Sequence, residues 1–221
     1  MNRVSSLLLN LVFPILLVGC ATPPPVPNER QGLLDRLALH PAHSGADRAF
    51  AQIIEPKVNS KDIAMNKKSV DRSPSSEEVV ERVRELALTW PLEKVQITSP
   101  FGQRAHEFHE GVDLRARSGT SVFSSHAGQV LYAGERIRGY GKMIVIRHSS
   151  GVATIYAHNS KLLVHKGQWI PQGARIAMSG NSGHSHGAHL HFEIRSGVAA
   201  IDPAAVITHA TGSRGRVLAA K

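Results

Sequence analysis

Four histidines fall within eight positions in HSHGAHLH, His184 to His191, and the stretch runs on into FEIR. Imidazole offers a lone pair to a metal ion and exchanges a proton near neutral pH, so such a density raises both chemistries. Read as a strand, HLHFEI puts His189, His191 and Glu193 on one face and Leu190, Phe192 and Ile194 on the other. The apolar set would anchor the strand in a core and hold two imidazoles side by side opposite it. A second group, HEGVD, supplies His109 and Asp113, with Gly111 letting the backbone bend between them. Imidazole nitrogen and carboxylate oxygen are ordinary zinc ligands, and a catalytic zinc keeps three protein ligands with a fourth position for water. The neighbouring HEFHE, His106 to Glu110, is one residue too short for the H-E-x-x-H pattern of a zinc-binding helix, and a glycine follows it, so that reading is excluded. A third piece is IYAHN, where Thr154, Tyr156 and His158 alternate with Ile155 and Ala157 and point to one face near a strand end.

Zinc lowers the pKa of its bound water to about 7 and polarises a carbonyl. Amide hydrolysis also needs a base for the water proton and a donor for the developing oxyanion. Two histidines that are not ligands could share those tasks, and spacing alone leaves open which does which.

The elements that must position these residues are short. TSVFSS, GQVLYAG, KMIVIRH, GVATIYAH, ARIAMSG and HLHFEIR are strand-like runs punctuated by glycine, and HSSGV reads as a hairpin turn. An antiparallel all-β domain over residues 92–207 follows. Before it, SPSSEEVVERVRELALTW suits an N-capped amphipathic helix stopped by Pro91, a connector over 75–91. Residues 20–74 carry TPPPVP, scattered charge and little periodicity, as expected of a flexible tether with no core. A basic tail over 208–221 is expected to be loose.

Residues 1–19 have the layout of a signal peptide: Arg3, an apolar run from Leu7 to Val18, then small residues before Cys20. The run is short and broken by Pro14, which argues against a membrane span. LVGC resembles a bacterial lipobox, which implies a lipid on Cys20, the single cysteine of the chain. Ala21 stands where an aspartate would favour the inner membrane, so the expected place is the periplasmic face of the outer membrane. The net charge of +9, of which residues 1–19 carry only Arg3, suits solubility or a polyanionic partner such as anionic lipid or an acidic wall polymer. Export makes nucleic acid the least consistent partner.

The motifs SPFGQR, HEGVDL, GTSVFSSHAGQVLYAG, GYGKMIVIRH, YAHN, GNSG and HLHFEIR, in that order between about Ile97 and Ile207, resemble the lysostaphin/LytM zinc peptidases, peptidase family M23. The resemblance implies a compact antiparallel β-sheet domain that cleaves peptide stems and cross-links of bacterial peptidoglycan. It implies His109, Asp113 and His191 as the Zn2+ ligands, and His158 and His189 as the catalytic pair that polarises the water and stabilises the oxyanion. His184 and His186 depart from the family's loop, as does Ala188 where proline is common. They are open to three readings: exposed loop residues, substrate contacts or further metal ligands.

An alternative lies within the same family. Certain outer-membrane division lipoproteins of this type have lost zinc ligands and activate separate cell-wall amidases, and AGERIRGYGKMIVIRH with YAHNSKLLVHKGQ looks like them. Those activators typically lack the ligand set, whereas His109, Asp113, His158, His189 and His191 are all present here. The expectation is therefore a zinc-dependent peptidoglycan endopeptidase, held to the membrane through Cys20, with an amidase as the partner under the alternative.

Overall fold

The computed structural model describes residues 45–54, 75–105, 107–207 and 216–217. The expected signal segment 1–19, Cys20 and most of the 20–74 and 208–221 stretches lie outside the described residues. Two helices, α1 (Gly45–Ile54) and α2 (Ser76–Glu85), precede β1 (Lys94–Val95), β2 (Ile97–Ser99), β3 (Gly102–Gln103), β4 (Phe108–His109) and β5 (Val112–Arg115). Then come β6 (Ser121–Phe123), β7 (Gly128–Gly134), β8 (Lys142–Arg147), β9 (Val152–Leu162), β10 (Trp169–Ile170) and β11 (Arg175–Ser179). The series closes with β12 (His189–Ser196), β13 (Ala199–Ile201), the short helix α3 (Pro203–Val206) and β14 (Arg216–Val217).

One ten-stranded sheet dominates, running β10-β7-β8-β9-β12-β5-β2, with β11 and β6 continuing from β9 and β13 paired to β12. All its pairings are antiparallel, which makes the domain all-β as the strand-like runs implied. The HSSGV turn joins β8 to β9 through a short 3-10 turn, with Ser150 and Gly151 at positive φ.

Alternation along β12 decides what lies on each side of the sheet. Leu190, Phe192 and Ile194 are fully buried among Val112, Leu114, Ile144, Ile146 and Tyr156. This core also takes Val79, Val80 and Val83 of α2, so the connector and the β domain share one interior. A reciprocal cap starts α2: Ser75 Oγ accepts from the Glu78 N–H at 3.2 Å, and Glu78 Oε2 accepts from the Ser75 N–H at 2.7 Å. The helix ends at Glu85, where Ala87 turns to φ 49, well before Pro91, so Pro91 is not its stop signal. Pro91 instead offers its carbonyl to the Phe123 N–H.

The opposite face carries a smaller cluster of Met143, Val145, Ala153, Ile155 and Ala157, and α1 lies on it through Phe50 and Ile54. Residues 45–54 thus differ from a coreless tether: GADRAFAQII brings Phe50, Ile53 and Ile54 into one apolar stripe, and Phe50 is fully buried. In the expected loose tail, Arg216–Val217 pairs in parallel with Lys94–Val95.

Candidate active site

The β5, β12 and β9 strands lie side by side, and their register sets three residues in a row: Asp113 opposite His191, and His191 opposite Ala157. His109 arrives from β4, whose hairpin partner β3 places Gly102 opposite it. The chain then passes from β4 to β5 tightly against β12. A Cβ at Gly111 would lie 2.5 Å from the Phe192 carbonyl oxygen and 2.8 Å from Glu193 Cγ. Gly111 is therefore needed for this close approach, and its φ is not among the positive ones.

His109, Asp113 and His191 converge. His191 Nδ1 lies 2.9 Å from Asp113 Oδ1, and His109 Nε2 lies 3.3 Å from the same oxygen and 3.2 Å from His191 Nδ1. The far side of each ring is committed. His109 donates from Nδ1 to the Pro100 carbonyl at 2.7 Å, and His191 donates from Nε2 to Glu193 Oε1 at 2.9 Å. Those bonds leave the facing nitrogens as lone-pair atoms, so they must share a proton or a cation with the carboxylate. Zinc–ligand bonds of about 2.0–2.1 Å put tetrahedral ligand atoms roughly 3.3 Å apart, close to the observed separations. The donor set fits zinc, and the partners on the far sides are those that orient metal-binding histidines. Among the described residues this is the one group of three or more such donors placed closely enough to hold a metal ion.

His158 reaches the site by an irregularity. Its strand neighbours Ile155 and Ala157 face the same way as Glu193 and His191, while Tyr156 packs with Phe192 in the main core. Strict alternation would put His158 with Tyr156, away from His109, Asp113 and His191, and that corrects the expectation that Thr154, Tyr156 and His158 share a face. Instead His158 sits at φ 60, beside a break in the β8–β9 register, and the ring turns to the other side. Asn159 holds the kink by donating to the carbonyls of Tyr156 at 2.8 Å and Lys142 at 2.9 Å. The His158 ring centroid then lies 4.8 Å from that of His189 and 5.8 Å from that of His191.

His158 and His189 are both oriented by backbone. His158 donates from Nδ1 to the Ser182 carbonyl and His189 from Nδ1 to the Gly187 carbonyl, each at 2.8 Å, so both present Nε2. His189 Nε2 comes 3.5 Å from Asp113 Oδ1. Burial depresses His158 to about 4, against the pull of the Ser182 carbonyl. The hydrogen bond to Asp113 raises His189 in spite of its partial burial. Burial opposes charge on Asp113, yet bonds from His109, His189 and His191 hold its carboxyl far below the usual range.

Four supporting residues stand behind these groups, Arg104, Glu193, Tyr140 and Arg195, and of them only Glu193 was placed by the sequence reading. Arg104 donates to Asp113 Oδ2 at 3.1 Å and to Ser99 Oγ at 2.7 Å, which leaves Oδ1 to the histidines. Glu193, fully buried, accepts from His191 and from the Tyr140 hydroxyl, 2.7 Å away, on Oε1, and from Arg195 Nε on Oε2 at 2.6 Å. Despite burial, the Arg195 charge keeps Glu193 ionised with a pKa of about 2. Alternation had placed Glu193 on the face of His191, and carrying it two residues further to Arg195 was a signal that was available; Tyr140, in a loop, gave none.

The site opens into a groove of about 490 Å³ whose walls include Arg104, Phe108, Tyr140, His184 and His186. His184 and His186 are exposed, with ring centroids 5.8 Å apart, and are not among the three converging donors.

Residues 107–203 match the sequence family described as Peptidase family M23. The chain is 42% identical over 95 residues to the uncharacterized lipoprotein YgeR of Escherichia coli K12, covering 43% of this chain and 38% of that protein. It is 38% identical over 122 residues to the DD-carboxypeptidase/endopeptidase Mpg of Neisseria meningitidis serogroup B, covering 52% and 28%. It is 35% identical over 114 residues to the murein hydrolase activator NlpD of Escherichia coli K12, covering 52% and 29%. The match thus spans about a quarter to two fifths of the length of these relatives. A chain in the solved SpoIIQ-SpoIIIAH pore forming complex shares the fold, with a TM-score of 0.50 and 23% identity over 54% of this chain and 90% of that one.

Proposed function

We propose that the protein, whose residues 107–203 match peptidase family M23, is a zinc-dependent endopeptidase that cuts peptide cross-links of bacterial peptidoglycan. The observation that carries this reading is the complete site: three converging donors with lone pairs turned inward, and two further imidazoles presenting Nε2 beside them. His109, Asp113 and His191 would hold the zinc. When bound, it would supply a nucleophile at neutral pH and polarise the scissile carbonyl.

The chain's own residues do the rest. Arg104 and Glu193 fix the ligating groups, and the groove accepts an extended peptide over His158 and His189. A base must stay unprotonated at working pH, which suits His158, held neutral by burial with its Nδ1–H on Ser182. His189, with its raised affinity for a proton, suits the donor to the oxyanion.

In this reading the signal segment is removed, Cys20 carries lipid, and the domain faces the wall from the outer membrane. Relatives named as lipoproteins support an envelope location. Among the described residues no helix is long and apolar enough to cross a membrane. The likeness to an activator supports a second reading, in which the domain stimulates a wall amidase.

The test is digestion of purified cross-linked peptidoglycan by the zinc-loaded protein, with fragments identified by mass spectrometry. Conversion of dimeric muropeptides to monomers, absent with His189→Ala, is expected. Intact cross-links with zinc bound would reject the peptidase and direct the next experiment to an added amidase.

A further inference from the structure

Beneath the metal ligands lies a buried polar stack that ends on α1. Arg195 has no exposed surface and donates to Glu193 Oε2 at 2.6 Å, to Glu110 Oε2 at 2.7 Å and to the Val198 carbonyl at 2.8 Å. Its guanidinium carbon sits 4.7 Å from the centre of the Phe50 ring. The same ring meets Tyr140 edge-on, centroids 5.1 Å apart and planes at 86°. Tyr140 and Arg195 both hold Glu193, and Glu193 holds the outer nitrogen of His191. One phenylalanine thus caps both groups that orient the carboxylate behind a metal ligand.

We infer that α1 is a positioning element of the metal centre, with Phe50 keeping Arg195 and Tyr140 dry and in register so that Glu193 fixes the His191 ring. The inference rests on the proposed zinc site and deepens it. Ion pairs and hydrogen bonds gain strength where water is excluded, and a guanidinium is further stabilised by an aromatic face. Removing the ring would admit water to Arg195 and loosen Glu193, and His191 would lose its fixed orientation. Partners behind metal ligands are typically worth about 10–100-fold in metal affinity. Phe50 acts through two intermediaries, so the lower end of that range applies.

The test uses the full chain and zinc affinity measured by competition with a chromophoric chelator, alongside the absorption spectrum of the cobalt-loaded protein. Phe50→Ala is expected to bind zinc about 10-fold more weakly and to shift the cobalt bands. Phe50→Leu, which refills the space, should recover most of the affinity and serves if the alanine variant does not fold. Ile54→Ala, on the same helix and in the same apolar cluster, should leave both readouts at wild-type values. Wild-type affinity in Phe50→Ala would overturn the inference. So would equal losses in the Phe50 and Ile54 variants, since helix docking in general would then be the cause. If the wild-type chain itself takes up no zinc, the proposed function fails first and the inference with it.

Discussion

Asp113 Oδ1 faces three imidazoles, at 2.9 Å from His191, 3.3 Å from His109 and 3.5 Å from His189. Distance alone does not set His189 apart from His109 and His191; the depth of its ring does. His109 and His191 are buried at 7% and 8% exposure, while His189 is half-buried at the groove wall. His109→Ala and Asp113→Ala are therefore expected to abolish stoichiometric zinc, as read by elemental analysis after dialysis. His189→Ala should keep the metal and lose turnover by about 100-fold or more. Loss of zinc from that variant would make His189 a ligand and demand a new assignment. These residues were legible because two were paired by strand alternation and the rest by resemblance to a family; the carboxylate and guanidinium behind them were visible on the same strand face but had no partner in sequence to give them meaning.

At the scale of elements, the informative places are those where a strand departs from its period. His158 lies on the side of His189 and His191 only because its backbone is left-handed there, and a period of two read from sequence puts it on the other face. Asn159→Ala removes the two bonds that hold this kink. It is expected to cost about 1–3 kcal/mol in urea unfolding and to lower turnover while zinc affinity stays within about 2-fold. Unchanged turnover would mean the kink holds itself. Gly111→Ala tests the opposite constraint, space instead of torsion. Its methyl would run into the backbone of β12, so a loss of about 1–3 kcal/mol and weaker zinc binding are expected together. Helix α2 was readable from its cap and its valines. Helix α1 was not, because its stripe is one short run inside polar sequence and its anchors, Tyr140 and Arg195, are brought to it only by the folded sheet.

At the scale of the whole molecule, His148, a buried histidine that does not line the groove, makes stability depend on pH. His148 is 6% exposed, donates from Nδ1 to the Ala127 carbonyl at 2.9 Å and keeps Nε2 at 2.8 Å from the Thr154 hydroxyl, with His126 edge-on beside it. Burial pushes it down to about 4 from 6.5, opposed by the Ala127 bond. Above the unfolded value the imidazole is neutral in both states and costs nothing. As pH falls from about 6.5 to about 4, the unfolded chain takes a proton that the folded one refuses, so stability should decline by about 3 kcal/mol across that window. The measurement is the urea midpoint against pH for wild type and His148→Gln, whose difference should shrink as the wild type weakens; parallel curves would show that His148 does not titrate there. The His191 ring has a further consequence for the molecule as a reagent. Each of its nitrogens lies 2.9 Å from a carboxylate oxygen, and the metal-free ring holds its proton up to about 9. Loading is then an exchange, one metal ion in and about one proton out at neutral pH. The heat of zinc uptake should accordingly change between phosphate and Tris by about the ionisation enthalpy of the buffer, and the site should empty as the medium acidifies, so that acidity sets how much of the protein is armed.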